Sequence, residues 1–262
     1  ELARVDGQPL PAFSAGAHID VHLADGLVRQ YSLCNDPATR DHYRIAVLRE
    51  PQSRGGSLGM HEQVQVGQTL TISAPRNHFA LAADAPRHLL LAGGIGVTPI
   101  LCMAERLALL GASFRMHYSG RSAQRMAFRE RIAAAAFAEQ VQLHFDDGDA
   151  AQRLDIAAVL AAAEADTHLY VCGPQGFMDA VLAGARAQGW AEQRLHWEFF
   201  AAADAGPRGG DAAFEVQLAS SGRVVAVAAD QSVTQALRAA GVEVMVSCEQ
   251  GVCGTCLTRV LS

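Results

Sequence analysis

Three cysteines near the C-terminal end are spaced for redox chemistry: Cys248, Cys253 and Cys256, in the string Cys248-Glu-Gln-Gly251-Val-Cys253-Gly254-Thr-Cys256. C-x4-C-x2-C is the spacing with which a plant-type [2Fe–2S] cluster is held. Ferric iron binds thiolate tightly, and two cysteines three apart reach one metal centre without strain. Gly251 and Gly254 let the backbone fold close over inorganic sulfide. A zinc knuckle is the alternative, but zinc sites come as two C-x2-C pairs or with histidines downstream, and neither pattern is present. A [2Fe–2S] site of this kind uses four thiolates, and no cysteine follows Cys256 before Ser262. The ligand set is therefore expected to be incomplete in this chain, and its cluster labile.

Four further strings suit a flat cofactor that carries phosphate. In Arg29-Gln-Tyr31-Ser32, arginine pairs phosphate, tyrosine stacks on a ring and the serine hydroxyl bonds a ring nitrogen. In Arg54-Gly55-Gly56-Ser57, two glycines before a serine can form a nest of backbone amides around an anion. Taken singly, the first also reads as an ordinary surface strand and the second as a turn. Gly93-Gly94-Ile-Gly96-Val-Thr98-Pro99 follows an apolar run and opens a helix, the arrangement that aims free amides at a pyrophosphate. It is not G-x-G-x-x-G, because Pro99 stands where the last glycine would be. Cys172-Gly173-Pro174 repeats the theme at another strand end.

Three kinds of element must position these strings. Residues 1–83 alternate in short apolar runs at 18–23, 27–33, 43–48 and 69–73, with Asp25-Gly26 as a hairpin turn, which predicts a small antiparallel barrel. Residues 84–200 change to strand, helix, strand. Strands are expected at 89–92, 114–118, 141–145, 168–171 and 195–200, with helices from Ile100 to Gly111 and over 128–138, 156–163 and 175–187. Two glycine turns at strand ends of one parallel sheet mark a ligand crevice. Residues 201–211 are small, with Gly and Pro, and read as a linker. Residues 212–262 read as a hairpin, a helix opened by the capping box Ser232-x-x-Gln235 and closed by Gly241, a strand over 242–246, and the cysteine loop.

Composition narrows the functions available. The chain has 262 residues, half of them hydrophobic, and a net charge of −6, which argues against nucleic acid and against a polybasic membrane anchor. The longest uncharged stretch, 88–104, contains three glycines and a proline, and it is shorter than the ~20 apolar residues a spanning helix needs. Cys34, Cys102 and Cys172 stand alone in apolar surroundings, which is thiol usage for a reducing, cytoplasmic setting. The chain starts with Glu1 inside a strand pattern, so both ends read as clipped.

Taken in order, these strings resemble the phthalate dioxygenase reductase group of flavin and iron–sulfur reductases. Ala46-Val47-x-Arg49 and His196-x-Glu198-x-Phe200 belong to the same pattern. The region from Arg54 through Met60-His61 to Leu101-Cys102-Met103 is most similar to the vanillate O-demethylase branch. The resemblance implies an FMN-binding antiparallel β-barrel over 1–83, an NADH-binding α/β domain with a parallel sheet over 84–200, and a β-grasp [2Fe–2S] ferredoxin domain over 212–262, cut short at its end. It implies electron flow from NADH through FMN and the cluster to a Rieske-type oxygenase acting on an aromatic substrate. Arg29, Tyr31, Ser32, Gly55, Gly56 and Ser57 would hold the flavin, with Val47 and Arg49 along it. Gly93, Gly94, Gly96, Thr98 and Pro99 would face the NADH pyrophosphate. Cys172, Gly173 and Pro174 would border the nicotinamide. Ser32, Cys172 and Phe200 would lie at the reacting rings. The absence of an adenine-binding insertion after Ser57 favours FMN over FAD. Arg121 either meets a 2′-phosphate or is a solvated arginine. Two other functions remain: a free-standing flavin or ferric reductase, which needs no cysteine loop, and a redox carrier without turnover, which needs no glycine turns.

Overall fold

The computed structural model describes residues 1–51, 53, 55–200, 212–244, 256 and 258–261. The chain divides into two compact units, Glu1–Phe200 and Ala201–Ser262. The first begins with a three-stranded antiparallel sheet of β1 (His18–His22), β2 (Val28–Ser32) and β3 (Thr71–Ile72), in the order β2-β1-β3. Ile19 and Val21 alternate inward from β1 and join Leu10, Leu33 and Tyr43 in one core. The turn at 24–26 carries Gly26 at φ +74°, which a hairpin-like reversal requires. Register places His18 opposite Ser32 and Val21 opposite Arg29. The strand expected over 43–48 is instead a single bridge from Tyr43 to Leu2. Its side chains do other work: the Tyr43 hydroxyl donates to Pro11 O at 2.5 Å. Ahead of β3 lies a short helix, α1 (Gly56–Glu62), where only a glycine turn was expected.

The same unit continues into a parallel sheet of β4 (Arg87–Gly93), β5 (Ser113–Gly120), β6 (Val141–Phe145), β7 (Thr167–Cys172) and β8 (Leu195–Glu198), ordered β6-β5-β4-β7-β8. The helices between them are α2 (Val97–Leu109), α3 (Arg129–Ala133), α4 (Ile156–Ala161) and α5 (Gln175–Ala187). β4 is central and covered on both faces, so it runs apolar from Leu89 to Ala92 rather than alternating. Leu90 and Ala92 pack with Ile100, Leu101 and Met103 of α2, while Leu89 and Leu91 pack with Leu160, Met178 and Val181 on the other side. Ala15 and Phe79 join the α2 core, and the Cys102 thiol donates to Asn35 O at 3.3 Å. α2 is thereby tied to the loop that follows β2.

The second unit contains a hairpin of β9 (Phe214–Gln217) and β10 (Val224–Val227), then α6 (Val233–Ala239). Val225, Val227, Ala236 and Leu237 form its core. The capping box is made as expected, with Ser232 and Gln235 satisfying each other's backbone amides. Residues 242–244 are not in a strand. The rest of that expected strand and the linker over 201–211 lie outside the described residues.

Two substitutions separate the units energetically. Leu90→Ala removes a fully buried side chain and is expected to cost the first unit ~2–5 kcal/mol. Ser232→Ala is expected to cost the second only ~1 kcal/mol. Urea unfolding followed by hydrogen exchange in each unit measures both.

Candidate active site

The strand order reverses between β4 and β7. The chain leaves β4 toward β5 and β6, then returns to the other side for β7 and β8. Outside the carboxyl ends of those two strands a crevice opens, and both expected glycine turns lie there. They touch through bare backbone. A Cβ on Gly96 would strike the Cys172 carbonyl and the Gly173 amide. A Cβ on Gly93 would come within 2.9 Å of Phe177 and 3.0 Å of Pro174, and one on Gly173 within 2.9 Å of Gly93 Cα. Gly94 has φ +52° and nothing within 4 Å of its outer side. Thr98 and Pro99 are buried, and the Thr98 hydroxyl donates back to Ile95 O at 3.1 Å. Neither α2 nor α5 has a side-chain N-cap. In α2 the Val97 amide is already bonded to Gly94 O and Ile95 O and Pro99 has no N–H, so the start of α5 is the end better placed to offer amides to an anion.

Beside the turns, side chains far apart in sequence converge. Ser32 Oγ donates to Glu198 Oε2 at 3.2 Å. His18, opposite Ser32 on β1, places Nδ1 3.9 Å from Glu198 Oε1. Cys172 pairs in register with Glu198. Burial pushes the Glu198 carboxyl up to about 7, with the Ser32 hydrogen bond opposing in part. Burial also lowers His18 to about 4, helped by Arg76 and His78 and opposed by Asp20. The contact between His18 and Glu198 is therefore not an ion pair at neutral pH. The Cys172 thiol is held well above its usual range by burial and by the Glu198 charge, so it stays protonated and offers no thiolate.

Glu198 was not among the expected site residues, although it lies in the His196-x-Glu198-x-Phe200 string. The signal was its position at the end of an apolar strand. His196 of that string anchors the strand instead. It stacks on Tyr170 at 4.5 Å, and its Nε2 meets His168 Nδ1 at 3.0 Å, locking β8 to β7. Phe200, two residues past Glu198, is 42 % exposed.

The flavin-type strings also meet. A Cβ on Gly56 would fall 2.6 Å from Arg29 Cγ, so the Arg29 side chain lies over the start of α1, where Gly55 caps with φ +83°. Tyr31 packs against the β1 core, and burial raises its phenol. Ser57 Oγ accepts from the Glu50 amide at 3.2 Å, and Val47 O meets His61 Nε2 at 2.8 Å. Arg49 is exposed and ion-paired with Glu62 at 2.6 Å. Arg54, Cys248 and Cys253 lie outside the described residues. Cys256 is described, free and half-buried. A cavity of about 470 Å³ lined by Phe13, Leu81, His88, Arg106 and Leu110 lies at the opposite ends of the strands, and none of the motif residues lines it.

Residues 216–262 match the family described as the 2Fe-2S iron-sulfur cluster binding domain. Residues 71–195 match the N-terminal domain family described as dimethylamine monooxygenase subunit DmmA-like. An antiparallel sheet, a parallel sheet with a strand-end crevice and a [2Fe–2S] domain together define an oxidoreductase of the flavin- and NAD(H)-binding ferredoxin-reductase class. The chain is 60% identical to vanillate O-demethylase oxidoreductase of Pseudomonas putida, over all of this chain and 82% of that protein. The solved structure of phthalate dioxygenase reductase superposes with a TM-score of 0.78 at 37% identity, over 97% of this chain and 78% of that one. An intact type IV self-sufficient cytochrome P450 monooxygenase superposes at 0.88 and 41% identity, over 97% of this chain but 33% of that one. The chain belongs to the reductase family that contains vanillate O-demethylase oxidoreductase and phthalate dioxygenase reductase. No helix among the described residues is long and apolar enough to cross a membrane.

The raised Glu198 carboxyl has a sign that can be measured. The unfolded chain loses this proton near the ordinary carboxyl value of 4.5, and the folded chain keeps it to about 7. Between those values the folded state binds more protons, so stability falls as pH rises. In flavin-free protein, Glu198→Gln is expected to remove a penalty on the order of 3 kcal/mol at pH 8 and to be near neutral at pH 4.5. Urea unfolding of both proteins across this range is the check.

Proposed function

We propose that this chain takes electrons from NADH, passes them through FMN and a [2Fe–2S] cluster, and delivers them to a Rieske-type oxygenase that acts on an aromatic substrate, in the cytoplasm. The observation that carries this reading is the convergence at the switch point: Gly96 against Cys172 in backbone contact, with Ser32 on Glu198 beside them. A flavin, when bound, accepts two electrons together and gives them up singly, which matches a nicotinamide to a one-electron cluster. The residues present fit it. Arg29 lies so close over Gly56 that a Cβ there would strike it, and a Cβ on Gly55 would press on Leu27 at 3.0 Å, so the turn is a cradle that side chains would fill. In this reading Arg29, Gly55, Gly56 and Ser57 hold the flavin phosphate, and Tyr31, Val47 and Arg49 lie along the cofactor. Ser32 bonds the ring edge, with Glu198 behind it as the group that holds or moves a proton. Gly93, Gly94, Gly96, Thr98 and Pro99 shape the turn whose amides face the NADH pyrophosphate. Cys172, Gly173 and Pro174 border the nicotinamide, where the neutral Cys172 thiol supplies shape without charge. Phe200 covers the flavin until the nicotinamide arrives. Cys248, Cys253 and Cys256 hold the cluster. The three parts are the barrel over 1–83, the nucleotide domain over 84–200 and the cluster domain over 212–262.

NADH is favoured over NADPH by charge. Arg121 follows β5 and is exposed, but the amides of Asp146 and Asp147 bond Gly120 O and Arg121 O, at 3.1 and 3.2 Å. Two aspartates at that edge disfavour a 2′-phosphate. The partner is inferred from the naming of similar proteins as oxygenase reductases. The cysteine loop weighs against a free-standing reductase.

Two measurements test the reading. Released by denaturation, the cofactor should be FMN, and FAD would overturn that assignment. Arg29→Ala should weaken its binding by ~1.5–3 kcal/mol, the range for a hydrogen bond to a charged group. Separately, Gly96→Val should leave the bound flavin spectrum intact while NADH no longer bleaches it in anaerobic stopped flow. Normal bleaching would show that the turn does not seat the nicotinamide. Reconstitution with a purified Rieske oxygenase, scored by product formed, tests the partner.

A further inference from the structure

Beside Glu198 are two histidines that electron transfer itself does not use. His18 is 3 % exposed, and neither of its ring nitrogens has a hydrogen-bond partner among the described residues. Buried nitrogens are rarely left so. Its Nδ1 stands 3.9 Å from Glu198 Oε1, a span that a small side-chain rotation closes to hydrogen-bond length. On its other side is His78, with ring centroids 5.7 Å apart and planes tilted by 37°. His78 is exposed. Ser32, Glu198, His18 and His78 thus run from the crevice to solvent.

We propose that His18 and His78 form the proton exit of the crevice: a proton received by Glu198 passes to His18 and, by way of His78, to solvent. The proposal rests on the crevice being the flavin and nicotinamide site. Oxidation of one NADH to NAD⁺ yields two electrons and one proton. The electrons leave singly to a one-electron acceptor, the cluster or ferricyanide, and the proton must leave by another route. Glu198 retains 13 % side-chain exposure in the open crevice, and a bound cofactor stacked there covers it. A separate exit then becomes necessary.

The groups around the route suit transit rather than trapping. Arg76 and His78 face His18 and disfavour its charged form, while Asp20 on the same strand favours it. Asp20 is itself occupied by Arg76 and by Gln30 at 2.9 Å. Cys172, paired in register with Glu198, stays a thiol. A proton moving from Glu198, near 7, to His18, near 4, is disfavoured by a factor of about 10³. Transfer remains fast against turnovers of about 1–10³ s⁻¹.

The test uses the full chain with its bound flavin, reduced anaerobically by NADH and reoxidised by ferricyanide in a weakly buffered pH-indicator dye. In His18→Ala, proton release should slow at least about tenfold more than flavin reduction does, and added imidazole should restore it. His78→Ala, on the surface and harmless to folding, should slow the same step by a smaller factor. A readout independent of turnover is ¹⁵N-histidine NMR of flavin-free protein. His18 should show an inflection near pH 7 that Glu198→Gln abolishes. Unslowed proton release in both variants, failure of imidazole to rescue, or a His18 signal blind to Glu198 would each overturn the exit. Failure of NADH to bleach the wild-type flavin would instead overturn the reading of the crevice, and the NMR result would still decide the contact.

Discussion

The contact between Gly96 and Cys172 constrains everything else in the first unit. Any side chain at residue 96 would occupy the space of the Cys172 carbonyl, so two strand ends meet only because one turn is bare backbone. Their closeness brings the starts of α2 and α5 to one crevice. It also leaves the outer face of Gly94 open. The parallel sheet supplies the direction and the glycines supply the approach. A Rossmann-type fingerprint uses three glycines for these tasks; here Pro99 fills the last position from inside the first turn of α2, where its missing N–H is no loss.

Dryness sets the chemistry of the side chains that converge there. Asp20 and Glu198 are both largely buried carboxyls with different partners. Asp20 has Arg76 and the amide of Gln30, which offset the loss of water. Glu198 has one hydroxyl and a neutral imidazole at 3.9 Å, so it is near half-protonated at neutral pH. A carboxyl in that condition can both take and give a proton. The same lack of water keeps Cys172 neutral, which suits the role proposed for it beside a nicotinamide.

The strand that carries Glu198 is placed by rings as well as by helices, Leu195 packing with Leu160 of α4 and Met178 of α5. His88, Tyr170, His196 and His168 stack across β4, β7 and β8. The Tyr170 hydroxyl accepts from the Ala82 amide at 2.9 Å, which links this column to the segment entering the parallel sheet. The histidines are kept neutral by burial and by one another, so they stack without repulsion. The second unit stands on its own core and needs none of this.

Much was legible in the sequence because it was local. Spacing alone made the cysteine loop, the glycine turns and the capping box at Ser232 visible, since each is a backbone or ligand requirement met within a few residues. The periodicity of the parallel strands was legible for the same reason. The strand expected over 43–48 failed because an alternating apolar run does not reveal whether a partner strand exists, and Tyr43 bonds to Leu2 and Pro11 instead. Helix α1 was missed because its glycines lower helix propensity, and only tertiary packing pays for them. The one local sign at Glu198 was its place at the end of an apolar strand, and that says nothing of its charge. Its carboxyl is raised by the removal of water, and water is removed by residues 18, 32 and 172, which lie far from it in the chain. Spacing determines which groups are available; burial, which only the folded chain creates, decides what charge they carry.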